Sequence, residues 1–184
     1  MRAAHGRVAP ISPPPMSDDA SKFSHLDSRG EARMVDVSGK EVTRRVARAS
    51  CLVVLSDGTL DRLSALPKGD ALAVARVAGI SAAKRTAEWI PLAHPLPLER
   101  IALEFERIAG GLRIASEVVV TARTGAEMEA LVACSAAALA LYDMVKAVER
   151  GATITDLRLD AKSGGRSGDW KRDEGARGDG ERPA

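Results

Sequence analysis

The 184-residue chain is 45% apolar but only 3% aromatic, so small and branched aliphatic side chains must build its core. Its 27 basic and 25 acidic residues leave a net charge of +2, too even a balance for nucleic-acid binding through bulk electrostatics. Cys51 and Cys134 fit neither a disulfide framework nor a metal-ligand spacing, which leaves them as small buried apolar residues in a reducing compartment.

The length supports one domain with a substantial core. Residues 1–24 are rich in proline, including Pro13-Pro14-Pro15, and read as a disordered leader ahead of a single α+β domain over residues 25–169. The N-terminal stretch lacks the continuous apolar segment of a signal peptide, and no run reaches the roughly 18–20 apolar residues of a membrane span. A soluble cytoplasmic protein is expected, with no nucleic-acid or membrane partner. Residues 43–56 (TRRVARASCLVVLS) end in a β-branched run and predict a strand. Asp57-Gly58 opens a short helix to about Leu66, and Pro67-Lys68-Gly69-Asp70 breaks it. Asp70 is an N-cap for a long helix over residues 71–90, which Pro91, Pro95 and Pro97 close with a loop. Residues 100–108 alternate as a half-buried strand, Gly110-Gly111 marks a hairpin, and residues 112–122 return. A second long helix is expected from Gly125 to about Arg150, with Gly151 as its C-terminal stop, and a last strand over residues 153–159. Residues 161–184, rich in glycine and charge, read as a mobile tail, with the domain itself closing at 169 and residues 170–184 disordered. This order predicts an α+β fold with an antiparallel sheet, two long helices and the ferredoxin-like split β-α-β arrangement.

The second helix carries the sharpest chemical signal. Residues 130–142 (ALVACSAAALALY) are apolar or small nearly all round, which indicates burial on several sides. At about 100° per residue, Asp143 lies about 40° from Glu129, with Lys146 one turn beyond it. A carboxylate and an ammonium at that spacing hold each other's charge state, and in a closed pocket they shuttle protons. The same spacing also serves as an ordinary salt bridge at a helix end. His94 sits in the proline-framed PLAHPLPL loop, which fixes an imidazole for donation or proton transfer, although lone loop histidines are commonly structural. Lys68 precedes a helix N-terminus that attracts anions, and Lys84 stands near that helix's far end; solvated lysines look the same in sequence. The loop KSGGRSGD (162–169) combines glycines with Lys162 and Arg166 but lacks the Walker A order.

Together, GEARMVDVSGK (30–40), PKGD (67–70), AGISAAKRT (78–86), IPLAHPL (90–96), TGAEMEAL (124–131), LYDMVKA (141–147) and LDAKSGGRSGD (159–169) resemble, in order, the signatures of cyclic pyranopterin monophosphate synthases. The resemblance implies a ferredoxin-like fold assembled as a homohexamer, a trimer of dimers with active sites at subunit interfaces. It implies conversion of (8S)-3',8-cyclo-7,8-dihydroguanosine 5'-triphosphate to cyclic pyranopterin monophosphate and diphosphate, in molybdenum cofactor biosynthesis. By the same resemblance Asp143 is the general acid/base, with Lys146 and Lys68 at the catalytic centre. Leu92, Ala93, His94, Met128 and Glu129 fall at substrate-binding positions, with Glu127 beside them. Arg45, Lys84, Lys162 and Arg166 are placed to meet the triphosphate. No motif calls for a cofactor or a metal site, and Mg²⁺ carried by the triphosphate itself is compatible with the reading.

Ala93 and Val145 stand where the family frequently has cysteine, which excludes a nucleophilic thiol at either position. Arg166 stands where lysine is usual, keeping the charge and changing its geometry. The alternatives are a non-catalytic nucleotide-binding member of the family, against which the joint presence of Asp143, Lys146, Lys68 and His94 counts, and an RNA-binding module. The second needs exposed aromatics on the sheet, whereas Phe105 alternates with Glu104 and Glu106.

Overall fold

A computed structural model describes residues 31–66 and 68–173 of the protein. The chain divides into two units, one ending at Val35 and a larger one starting at Asp36 that holds every element below. The expected leader, and the expected tail beyond residue 173, lie outside the described residues.

The elements run β1 (Thr43–Val54), α1 (Asp57–Leu60), α2 (Ala71–Ala83), α3 (Thr86–Trp89), β2 (Leu98–Ile108), β3 (Gly111–Ala122), α4 (Glu127–Val145), β4 (Thr153–Ser163) and β5 (Trp170–Lys171). The strands form one five-stranded antiparallel sheet in the order β2-β3-β1-β4-β5. The fold is α+β, with β3 inserted between β1 and β2. α4 lies across β1, β3 and β4, while α2 packs beside α4 and over β2.

One face of the sheet carries the core. Val53, Ile114, Val118, Val120, Leu141 and Val145 are fully buried there. The helices approach closely because alanine lines them: Ala130, Ala133, Ala137 and Ala138 of α4 are all buried. Across from them, a Cβ built on Gly79 of α2 would stand 2.8 Å from the Ala133 carbonyl oxygen. The two cysteines are free and buried, Cys134 Sγ donating to the Ala49 carbonyl at 3.4 Å. The neighbouring Cys134 sulfur, and then burial, push the Cys51 thiol up, so it stays protonated. The opposite face carries charge ladders, with Glu117 accepting from both Arg48 and Arg100.

Several predicted boundaries move, each for a tertiary reason. The helix expected over residues 71–90 is broken after Ala83. Buried Thr86 donates its hydroxyl to the Ala83 carbonyl at 3.0 Å, and Arg85 leaves helical geometry between α2 and α3. Helix α4 stops at Val145 rather than near Arg150, because the Glu149 carboxylate is drawn to the Ser56 amide at 3.0 Å and its hydroxyl at 2.8 Å. The short helix after Asp57 ends at Leu60. The largest correction concerns the expected tail. β4 continues to Ser163 because its end pairs with Val46, Ala47 and Arg48 of β1, and β5 adds an edge strand with Lys162 opposite Trp170. The domain therefore includes Trp170 and Lys171, and sequence composition hid both pairings behind glycine and charge.

α4 also qualifies by length and mean hydropathy, 1.5 over 18 residues, as a membrane-crossing helix, contrary to the sequence expectation; 61% of that window is buried within the protein. That makes it a core helix. The Asp70 cap forms as expected, accepting from the Leu72 and Ala73 amides at 2.9 and 3.0 Å.

Substituting Gly79→Ala tests the α2–α4 contact. Overpacking costs about 1–3 kcal/mol, which outweighs the roughly 0.8–1 kcal/mol that alanine gains in a helix. A lower midpoint in urea denaturation is the expected result; an unchanged or raised midpoint contradicts the tight contact.

Candidate active site

Lys68, Asp143 and Lys146 meet at one end of the domain. The turn after Leu66 is closed by the Gly69 amide donating to the Leu66 carbonyl at 2.8 Å, and Gly69 sits at φ +102°, where glycine is strain-free. That turn delivers Lys68 to the last turn of α4, where its ammonium donates to the Asp143 carboxylate at 2.8 Å and to the Asp143 carbonyl at 2.9 Å. Lys146 approaches the other carboxylate oxygen at 2.6 Å. All three side chains are about half exposed. The Lys146 and Lys68 ammoniums hold the Asp143 carboxyl down at about 2, so it is ionised at neutral pH.

A second group forms at the opposite end of α4. Lys84, Arg85, His94, Leu96 and Glu129 line one cavity of about 190 Å³. Lys84 caps α2, and Leu92, Ala93 and His94 follow α3 in a loop pinned by the Ala93 amide on the Ile90 carbonyl at 3.0 Å. Glu129 is 3% exposed. Burial, reinforced by the nearby Glu127 carboxylate, pushes its carboxyl up to about 7. Glu127 folds back over Gly125, where any Cβ would collide with its carboxylate, and Met128 faces outward, 38% exposed.

A third group lies at this same end of β1. Arg45 donates to the Ala122 and Arg123 carbonyls, both at 3.1 Å. The glycine loop rests on it: a Cβ on Gly165 would fall on the Arg45 guanidinium. Lys162 donates to the Ser167 hydroxyl, the Gly164 amide to Asp169 at 3.1 Å, and Arg166 is exposed. Lys162 also faces a hollow with Arg48, Trp170 and Lys171 on the open side of the sheet. Among the described residues there is no cluster of three or more His, Cys, Asp or Glu that would hold a metal.

The protein thus gathers its expected site residues into separate clusters. Glu129 and Asp143 lie on one helix but fourteen residues apart, about 21 Å at 1.5 Å per residue. His94 and Lys68 do not meet within one chain. Arg85 and Leu96 were not singled out from the sequence, although AAKRT and PLAHPL contain them; no local pattern distinguishes them from their neighbours.

A family model described as the MoaC family matches residues 34–165. This chain belongs to the MoaC family. Members of known assignment are similar over most of its length. The cyclic pyranopterin monophosphate synthase of Streptomyces avermitilis is 52% identical, covering 86% of this chain and 93% of its own. Cyclic pyranopterin monophosphate synthase 3 of Mycobacterium tuberculosis is 54% identical over 85% and 90%. The synthase of Chloroflexus aggregans is 53% identical over 88% and 100%. The MoaC match ends at 165, so it spans both α4 clusters and stops inside the glycine loop.

Glu129 sets a pH dependence. Its folded pKa of about 7 exceeds the ordinary 4.5, so between those values the folded state binds more protons and stability falls as pH rises. Glu129→Gln removes this term. Chemical denaturation at pH 5 and pH 8 is expected to show the variant gaining stability over the parent protein at pH 8 relative to pH 5. An equal difference at both values contradicts a carboxyl that burial keeps protonated.

Proposed function

We propose that this protein is a lyase of molybdenum cofactor biosynthesis that converts (8S)-3',8-cyclo-7,8-dihydroguanosine 5'-triphosphate to cyclic pyranopterin monophosphate and diphosphate. The observation that carries the reading is the Lys68–Asp143–Lys146 cluster, drawn from positions 75 residues apart. The naming of its MoaC relatives supports the same chemistry.

In this reading Asp143 is the general acid/base, and Lys68 and Lys146 flank it. An ionised carboxylate held near 2 is a weak base. Substrate phosphates that engage the two ammoniums release Asp143 from them, and its proton affinity rises toward a useful range. The rearrangement then draws on it repeatedly. The guanine imidazole portion opens, the pterin ring forms, and a ribose-derived hydroxyl attacks the α-phosphorus as diphosphate leaves. Leu92, Ala93, His94, Glu127, Met128 and Glu129 bind the ring portion, and Arg45, Lys84, Lys162 and Arg166 meet the triphosphate. Lysine and arginine clustered in a partly desolvated site favour such an anion more than in water.

The strand order β2-β3-β1-β4 is that of the ferredoxin-like split β-α-β fold, which we assign to it. We further assign a homohexamer with active sites at subunit interfaces. The roughly 21 Å between the α4 clusters supports it, because neither cluster alone holds both proton-transfer groups and ring-binding groups. The two free thiols suit a cytoplasmic protein.

Asp143→Asn keeps the side-chain shape and removes the base. Incubated with the cyclised nucleotide, it is expected to release diphosphate at least about 100-fold more slowly than the parent protein, the lower range for one acid/base group. Parent-like turnover sinks the assignment. The shared site has its own test. Oligomers reassembled from equal Asp143→Asn and His94→Ala subunits, each inactive alone, should regain about one quarter of parental activity by random pairing. Recovery of none means that both groups act within one subunit.

A further inference from the structure

The Lys68–Asp143–Lys146 cluster joins two pieces of chain through contacts of unequal security. Lys146 and Asp143 share the end of α4, so helical spacing alone brings them together. Lys68 comes from a separate segment, and its ion pair with Asp143 is about half exposed on both sides. Exposed pairs of this kind contribute too little to hold a turn in place. The backbone that presents Lys68 is therefore fixed by something other than the pair it makes.

Glu149 supplies that tie. Its amide donates to the Val145 carbonyl at 2.8 Å, and the Tyr142 hydroxyl donates to the adjacent Arg150 carbonyl at 3.2 Å, so it moves with the end of α4. Its two carboxylate oxygens accept from the Ser56 amide at 3.0 and 3.1 Å, and one of them from the Ser56 hydroxyl at 2.8 Å. The Thr59 hydroxyl, with Ser56, outweighs partial burial and holds the Glu149 carboxyl below the usual range, so it bonds as a carboxylate. From Ser56 the chain runs on to Lys68 as one packed piece. The Ser56 carbonyl accepts from the Thr59 and Leu60 amides at 3.1 and 3.0 Å, and the Leu63 carbonyl from the Ala71 amide at 2.9 Å. Leu60, Leu63 and Leu66 are buried. On its other side, Arg107 of β2 donates to Asp57 at 2.8 Å and to Asp61 at 2.5 Å.

We propose that Glu149 is a positioning residue for the active site, setting the register of the Lys68 turn against Asp143 through its hydrogen bonds to Ser56. Glu149 acts through Lys68 and does not itself touch substrate. A carboxylate here accepts from an amide and a hydroxyl at once, which an alanine at the same place does not. Without those bonds the segment from Ser56 to Leu66 keeps its leucines in the core but loses its tie to α4. Lys68 then drifts from Asp143, while Lys146 keeps its own contact. Misplacing a catalytic group by about 1 Å costs up to about 100-fold in rate. This rests on the proposed reading that Lys68 and Asp143 take part in the reaction, and it names the residue that holds them together.

The test reads the Lys68 contact directly, apart from turnover. Hydrogen bonds to Asp143 occupy the Lys68 ammonium, so a limiting amount of an amine-acylating reagent is expected to label it slowly beside exposed Lys171, as read by mass spectrometry. Asp143→Asn removes the carboxylate and marks the fast limit. Glu149→Ala is expected to raise Lys68 labelling toward that limit while Lys146 labelling stays parental. Glu149→Gln, which keeps an oxygen for the Ser56 amide, is expected to return Lys68 most of the way. Ser56→Ala, lacking only the hydroxyl bond, moves Lys68 in the same direction by less. In turnover, Glu149→Ala is expected to lose about 10–100-fold in kcat, and Glu149→Gln to regain most of that loss. Unchanged Lys68 labelling in both Glu149→Ala and Ser56→Ala overturns the proposal. An equal rise at Lys68 and Lys146 does so too, because it means that the end of α4 has loosened as a whole. Parental turnover by Asp143→Asn instead sinks the reaction assigned to the cluster and leaves the labelling result standing.

Discussion

The structure depends on how closely α4 can sink between the sheet and α2. An alanine-lined helix face brings backbone near backbone, with Gly79 meeting the Ala133 carbonyl and Cys134 donating to a strand carbonyl. Dispersion contacts over that interface replace the large aromatic side chains the chain lacks. A helix held this way is a rigid rod through the core. Its two ends are therefore fixed at a set separation, and each carries polar groups that cannot drift toward the other.

That rigidity places two carboxylates in opposed environments. Asp143, about half exposed at the last turn, accepts from two ammoniums and ionises far more readily than usual. Glu129, buried near the first turn beside another acid, holds its proton up to neutral pH. Paired surroundings that push carboxyl groups apart are how proteins divide acid from base work. Here two such surroundings stand at opposite ends of one helix, about 21 Å apart at 1.5 Å per residue.

The remaining basic groups are organised by the sheet's edge rather than by the helix. Arg45 holds the ends of β1 and β3 together through two carbonyls while supporting the glycine loop. Gly164 and Gly165 both sit at positive φ there, and side chains at either would strike β1 backbone or the Arg45 guanidinium. The loop is thus packed as well as glycine-rich, and β5 returns along β4 to anchor its far side.

Much of this was legible in the sequence because the signals were local. Alternation gave β2, β-branched content gave β1, Gly110-Gly111 gave the hairpin, and Asp70 gave a cap that forms as expected. The i, i+3 spacing of Asp143 and Lys146 on one helix made their contact unavoidable, since backbone geometry alone brings them together. What sequence could not decide were outcomes that depend on distant partners. The break at Lys84-Arg85, the early end of α4 at Val145 and the pairing of β4 with β5 each involve hydrogen bonds that composition does not announce. Lys68 reaching Asp143, and His94 failing to, are of the same kind: the chain order names the residues, but only packing in three dimensions sets which ends of the rod they occupy.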